Sequence, residues 1–414
     1  MRMSQKIIIR FFLAAILTVF LQGILFSQEK VEGIYYLDGK PISVIIKDGK
    51  IYEINRIVSL PESSKRIYLA PGLIDNQVNG YNGVSFSFGE GELSEESIIK
   101  ATRALWEKGI TTYLPTLTTN SHQLLLKNFA ILGKVRNNKL LLGSIPGFHL
   151  EGPYISPVDG FRGAHSANYI RKPDWNEFME YYKASGEKIL TVTVAPEIEG
   201  AIDFIKRCNE LGIVVALGHH NGTTEVINEA VKKGARISTH LGNAMSNMIN
   251  RHINPLWPQL SNDDLMISII CDGFHLLPEQ IRTFYKVKGP ERTIITSDVT
   301  MYANLKPGIY KNIDGEDLEL TSEGKIQYLA QQNLAGSAST LDKGIGHIMK
   351  VTGCSIADAI RMGSTNPAIL YKLYDRGIIE VGRRADIILF TIDDFKIKIE
   401  KTFVKGKLVY ESTE

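Results

Sequence analysis

From Val31 to about Leu69, apolar and polar residues alternate with the period of a half-buried strand. The alternation breaks at Asp38-Gly39 and Asp48-Gly49, residue pairs suited to the positive φ angles of tight hairpins. The same texture returns at 385–390 and 395–410, with a turn at Lys405-Gly406. Two short-strand regions flanking a long middle predict one small β-sandwich domain formed by both termini. Between them, short apolar runs alternate with stretches long enough for a helix, the pattern of parallel βα units. Eight runs occur, at 73–78, 111–116, 144–150, 190–195, 214–217, 237–239, 266–271 and 293–296.

Eight such units close an α/β TIM (β/α)8 barrel. The competing architecture, an open doubly wound sheet, calls for a Gly-rich phosphate turn after its first strand. Val78-Asn79-Gly80-Tyr81-Asn82-Gly83 lacks the G-x-G-x-x-G spacing. The expected division is a leader over 1–27, the small β domain over 28–70 and 378–414, and the barrel over 71–377.

The leader is predicted from charge. Arg2, Lys6 and Arg10 precede an uncharged run over 11–26, and Ser27 offers a small residue for cleavage. The run is short for a membrane span, which needs roughly 20 residues. An exported protein, periplasmic or secreted, is expected, with an uncleaved N-terminal anchor as the alternative. No cysteine follows the run, so a lipidated cysteine is excluded.

Composition changes the picture little. A chain of 414 residues at 44% hydrophobic content folds around a large core. Its net charge of +2, without a long charged block, gives no electrostatic basis for a nucleic-acid partner. A small-molecule partner is expected. Cys208, Cys271 and Cys354 are too few and too widely spaced for a disulfide framework, and free thiols are expected.

Chemistry enters where the apolar runs end. Gln77, Asn79, Glu151, Glu197, His219, His240, Asp272, His275 and Asp298 all fall at or just beyond the C-terminal ends of these runs. In a barrel those ends converge on one face, where catalysis is built. Glu151, His219 and His240 together supply one carboxylate and two imidazole nitrogens, a set that suits a catalytic zinc site with its fourth position open. Each could instead be a satisfied core polar group, and Asp298 a helix N-cap. His122, His220, His252 and His347 read as ordinary histidines, Glu197 as a partner of barrel backbone or a support behind the site's ligands, and Arg251 equally as a salt-bridge or an anion contact.

In these motifs the chain resembles the N-acetylglucosamine-6-phosphate deacetylases of the amidohydrolase superfamily. The resemblance runs from about Val31 to the C-terminus. It rests on Ala70-Pro71-Gly72-Leu73-Ile74-Asp75, His149-Leu150-Glu151-Gly152-Pro153 and Thr193-Val194-Ala195-Pro196-Glu197. It continues through Gly218-His219-His220-Asn221, Thr239-His240-Leu241-Gly242-Asn243-Ala244-Met245, Asp272-Gly273-Phe274-His275 and Leu334-Ala335-Gly336-Ser337-Ala338.

The resemblance implies that Glu151, His219 and His240 hold one divalent metal per subunit, zinc first, with iron, manganese or cobalt as alternatives. It implies that Asp298 is the general acid and base, and that His165 reaches the substrate and polarises its acetyl carbonyl. Ala164, Asn243, Ala244, Arg251 and His275 would meet the sugar or its phosphate, and Leu334, Ala335 and Gly336 would line the acetyl pocket. A homodimer is implied as well, one in which Arg251 would reach the neighbouring subunit's site. Many superfamily members begin the barrel with His-x-His, whose positions look like Gln77 and Asn79 here. Amides are poor zinc ligands, so one tightly held metal is expected.

Two departures bear on substrate. Arg251-His252-Ile253-Asn254 replaces the family's frequent Arg-Glu-Pro-Gly, and Gly242 stands where tyrosine is common. An unphosphorylated N-acetylhexosamine is therefore an alternative substrate. Cyclic-amide or dipeptide hydrolysis on the same barrel is a second alternative, and a sugar-binding protein without activity a third.

Overall fold

The computed structural model describes residues 29–60, 66–87, 93–312, 315–330 and 333–413. The expected leader lies outside them. No helix among the described residues is long and apolar enough to cross a membrane.

Eight strands form one parallel sheet in sequence order: β1 (Leu73–Val78), β2 (Ile110–Thr118), β3 (Phe148–Glu151), β4 (Ile189–Val194), β5 (Val214–Leu217), β6 (Ala235–Ser238), β7 (Met266–Ile270) and β8 (Thr293–Thr296). Each lies on a predicted run, with ends shifted by a few residues. The third shifts most, starting at Phe148 rather than 144, beyond Pro146, which has no N–H to give the ladder.

A helix follows every strand: α1 (Glu95–Trp106), α2 (His122–Val135), α3 (Trp175–Ala184), α4 (Ala201–Glu210), α5 (Thr224–Lys233), α6 (Leu256–Ser261), α7 (Pro278–Lys288) and α8 (Leu341–Thr352). Their starts are written in local chemistry. Ser94 and Ser97 form a reciprocal capping box on α1, and Asp174 accepts from Asn176 N and Glu177 N on α3.

The sheet closes between β1 and β8. Val78 and Val299 form a parallel bridge, Asn79 N donates to Val299 O at 2.8 Å, and Ser297 N donates to Asp75 Oδ1 at 3.2 Å. Closure buries every residue of β1, as expected of a parallel strand covered on both faces. An open doubly wound sheet is thereby excluded.

The terminal strands pair as Lys407–Glu411, Lys396–Val404, Ile387–Asp393, Tyr68–Pro71, Glu29–Tyr35, Pro41–Lys47 and Lys50–Arg56, one seven-stranded sheet drawn from both ends of the chain. It docks tightly on the barrel. Gly72 N donates to Asp386 O at 2.9 Å and Thr402 Oγ1 to Trp106 O at 2.7 Å. Gly346 on α8 lets the Phe395 carbonyl approach so closely that a Cβ there would sit 1.9 Å from it. A three-stranded sheet, Gly308–Lys311, Asp317–Leu320 and Ile326–Tyr328, is inserted between β8 and α8.

A candidate metal centre at the barrel mouth

Glu151 is the last residue of β3, while His219 and His240 each sit two residues past β5 and β6. The histidines turn inward through backbone that side chains rarely adopt, with φ of 53° at His219 and 29° at His240, and Asp298 beyond β8 does the same at 51°. Such conformations cost about 1–3 kcal/mol each and persist only where surrounding contacts hold them. Here His240 N donates to Ser268 Oγ at 2.8 Å, and the Arg162 carbonyl lies 3.2 Å from His219 Nδ1.

Glu151 Oε1 lies 3.2 Å from His219 Nε2 and 3.0 Å from His240 Nε2, and the two nitrogens are 3.2 Å apart. Tetrahedral ligands about 2.0–2.1 Å from zinc stand roughly 3.3 Å from one another, so the triangle is close to the size a metal needs. Its chemistry also asks for positive charge. The Arg162 carbonyl can only accept, so His219 Nδ1 carries the proton and its Nε2 lone pair faces the carboxylate. A cation at the centre satisfies all three groups at once.

His165 joins this cluster. Glu151, His165 and His219 each bring a ligand atom within 4.8 Å of the others, and the His165 and His219 rings stand edge to face at 4.3 Å. The tighter set is nonetheless Glu151 with His219 and His240, whose facing atoms stand 3.0 to 3.2 Å apart, while His165 Nδ1 is engaged with Thr119 Oγ1 at 2.7 Å. Burial drops His165 to about 3, so it stays neutral. The residues fit one metal ion, with His165 beside it.

Gln77 and Asn79, at the end of β1 and just past it, donate to the carboxylates of the site. Gln77 Nε2 donates to both Glu151 Oε1 (2.9 Å) and Asp298 Oδ1 (2.8 Å), and Asn79 Nδ2 donates to Asp298 Oδ1 at 2.7 Å. Burial, and then the Glu151 charge, raise the Asp298 carboxyl above its usual value. The helix-cap alternative for Asp298 receives no support, since its side chain accepts from two amides instead.

Other predicted residues are distributed around this centre. Gly163 lies so near that a Cβ there would be 3.1 Å from His219 Cε1 and 3.5 Å from Ala244 Cβ, which puts the Ala164–His165 loop and Ala244 on one wall. Asn243 Nδ2 donates to His240 O at 3.1 Å. His275 Nδ1 pairs with Asp272 Oδ2 at 2.8 Å. The segment holding Leu334, Ala335 and Gly336 is pinned beside Asp298, since Thr300 N donates to Ser337 O at 2.9 Å. Arg251 is exposed, and its guanidinium has no partner within this chain among the described residues.

Glu197 does support backbone, accepting from Asn221 N at 2.6 Å, and His122 faces Glu177, Glu180 and Tyr181. Sequence reasoning missed Thr119 and the Arg162 carbonyl. Thr119 follows β2 directly, so the strand-end rule could have found it. A main-chain carbonyl carries no side-chain signal.

The chain is similar to known proteins over nearly its whole length. Residues 68–409 match the amidohydrolase family. An N-acetylglucosamine-6-phosphate deacetylase of Bos taurus is 30% identical over 88% of this chain and 88% of its own, and that of Bacillus subtilis is 29% identical over 89% and 93%. The crystal structure of the deacetylase of that name from Thermotoga maritima superposes with a TM-score of 0.80 at 28% identity, covering 93% of this chain and all of the other.

Proposed function

We propose that this chain, which belongs to the amidohydrolase family and within it to the N-acetylglucosamine-6-phosphate deacetylases, removes the acetyl group from N-acetylglucosamine 6-phosphate or a related N-acetylated amino sugar. The observation that carries the reading is the triangle of Glu151 Oε1, His219 Nε2 and His240 Nε2 with Asp298 tied to it through Gln77. We assign the metal to those three residues, with zinc as the ion.

A divalent cation held there supplies Lewis acidity toward a carbonyl oxygen and an activated water. The chain's own residues do the rest. Asp298, held at Oδ1 by the two amides, accepts a proton at Oδ2 from the attacking water and passes it to the departing amine. His165 Nε2 donates to the acetyl oxygen as charge develops on it. Ala164, Asn243, Ala244 and His275 flank the sugar, and Leu334, Ala335 and Gly336 bound the acetyl methyl. The products are acetate and the free amine.

The departures from the family's pattern at Gly242 and at His252-Ile253-Asn254 favour a second reading in which the sugar is not phosphorylated. One experiment separates the two: acetate release from N-acetylglucosamine and its 6-phosphate, measured in parallel, before and after chelation and metal return. Activity on neither, or activity indifferent to chelation, ends both readings. We further propose export with removal of 1–27, checked by N-terminal mass analysis of the protein recovered outside the cytoplasm, and a homodimer, checked by light scattering.

A further inference from the structure

His165 sits in the loop after β3, and its ring has a single protein hydrogen-bond partner among the described residues, the Thr119 hydroxyl at 2.7 Å from Nδ1. Both residues are buried, Thr119 at 4% and His165 at 9% exposure. The approach between them is built in. Gly152, at φ 75°, leaves the space that Thr119 fills; a Cβ at that position would sit 2.1 Å from Thr119 Oγ1. A residue with a side chain could not follow Glu151 without displacing the hydroxyl from the ring.

A neutral imidazole carries one proton, and the hydrogen bond made by one nitrogen decides whether the other is donor or acceptor. If Nδ1–H donated to Thr119, the hydroxyl proton would be left buried without an acceptor, since Thr119 Oγ1 has no other partner among the described residues. If Thr119 donates instead, its proton is satisfied and Nε2 bears the N–H. Only this second arrangement gives a hydrogen bond to a developing negative charge.

We propose that Thr119 is a positioning residue which, by donating its hydroxyl proton to His165 Nδ1, fixes the Nε2–H tautomer and makes His165 a donor to the acetyl oxygen. The proposal rests on the reading above, in which His165 faces that oxygen. It extends the constellation by one side chain that touches neither metal nor substrate.

The test uses the full chain purified with its metal and carrying 15N-labelled histidine. His165 ring signals are assigned by their loss in His165→Asn. In the unaltered protein Nε2 is expected to carry the proton; in Thr119→Val the pattern shifts toward Nδ1–H or a mixture. Kinetically, Thr119→Val loses about ten- to a hundredfold in kcat, the scale of one weakened oxyanion donor, with KM within about twofold and metal content unchanged. Thr119→Ser restores most of the rate. An Nδ1–H tautomer in the unaltered protein, or a Thr119→Val protein with the same tautomer and rate, overturns the proposal. If no N-acetylated sugar is hydrolysed, the deacetylase reading fails while the ring signals still decide the role of Thr119.

Discussion

The barrel mouth and the terminal sheet use the same uncommon backbone conformation for different ends. In the sheet, Asp48 and Lys405 adopt φ of 54° and 51°, and each precedes a glycine that is also positive, Gly49 at 76° and Gly406 at 73°. These are tight hairpins in which two adjacent residues carry the whole requirement. At the mouth, His219, His240 and Asp298 adopt it singly, and what holds the two histidines comes from elsewhere in the chain, the Arg162 carbonyl and the Ser268 hydroxyl. A turn that closes locally is a folding device; a strained residue supported from a distance points its side chain where chemistry needs it.

The comparison can be broken most directly at Asp298. Asp298→Asn keeps a group able to accept from Gln77 and Asn79 but removes the titratable oxygen. Acetate release should fall by about a thousandfold, within the range for lost general acid-base catalysis, while metal content by elemental analysis stays near one per chain. Loss of metal together with rate would instead make Asp298 a ligand. His165→Asn should cost about a hundredfold in kcat, the scale of one oxyanion donor. A change confined to KM would place His165 in ground-state binding alone.

A smaller effect is expected in stability against pH. Asp75 joins β1 to the turn after β8, and burial raises its carboxyl to about 7. A carboxyl raised in the folded state stabilises the fold most when protonated. That contribution is fully present below its unfolded value of about 4 and is lost as pH climbs to about 7. Asp75→Asn cannot lose a proton, so relative to it the unaltered protein should weaken by up to about 4 kcal/mol between pH 4 and 8, since each tenfold change in proton affinity is worth about 1.4 kcal/mol. Melting temperatures of both proteins across that range check the sign; a parallel pair of curves would remove the buried charge from the account.

The smallest effect sharpens the contrast from the other side. Gly406→Ala places a methyl at φ 73°, with its Cβ 2.7 Å from Ile46 Cγ2. The melting point should drop by the equivalent of about 1–2 kcal/mol, with kcat and metal content unchanged. A loss of rate would show that the terminal sheet positions the mouth after all.

Much of the architecture is legible in the sequence because it is local. Runs of apolar residues at strand length, helix caps such as Ser94 and Asp174, and Asp-Gly or Lys-Gly turns each act within a few residues of themselves. The residue types at the strand ends are legible for the same reason, since a carboxylate or imidazole closing an apolar run is unusual wherever the strand ends up. The expected start of the third strand fails at Pro146, where the missing N–H overrides the apolar run. The expected anion contact of Arg251 rests on motif alone; the side chain is exposed within one chain, and a contact with a neighbouring subunit's site is a matter of assembly.

What the sequence by itself determined was the number and order of βα units and the kinds of side chain at their ends. Tertiary structure alone decided that Glu151 and His240, 89 residues apart, meet at 3.0 Å, that Gln77 reaches across 221 residues to hold Asp298, and that Thr119 faces His165. Secondary structure follows from interactions a few residues wide. Meeting at one point requires the closed curvature of eight strands, which belongs to the whole sheet and is written in no single segment.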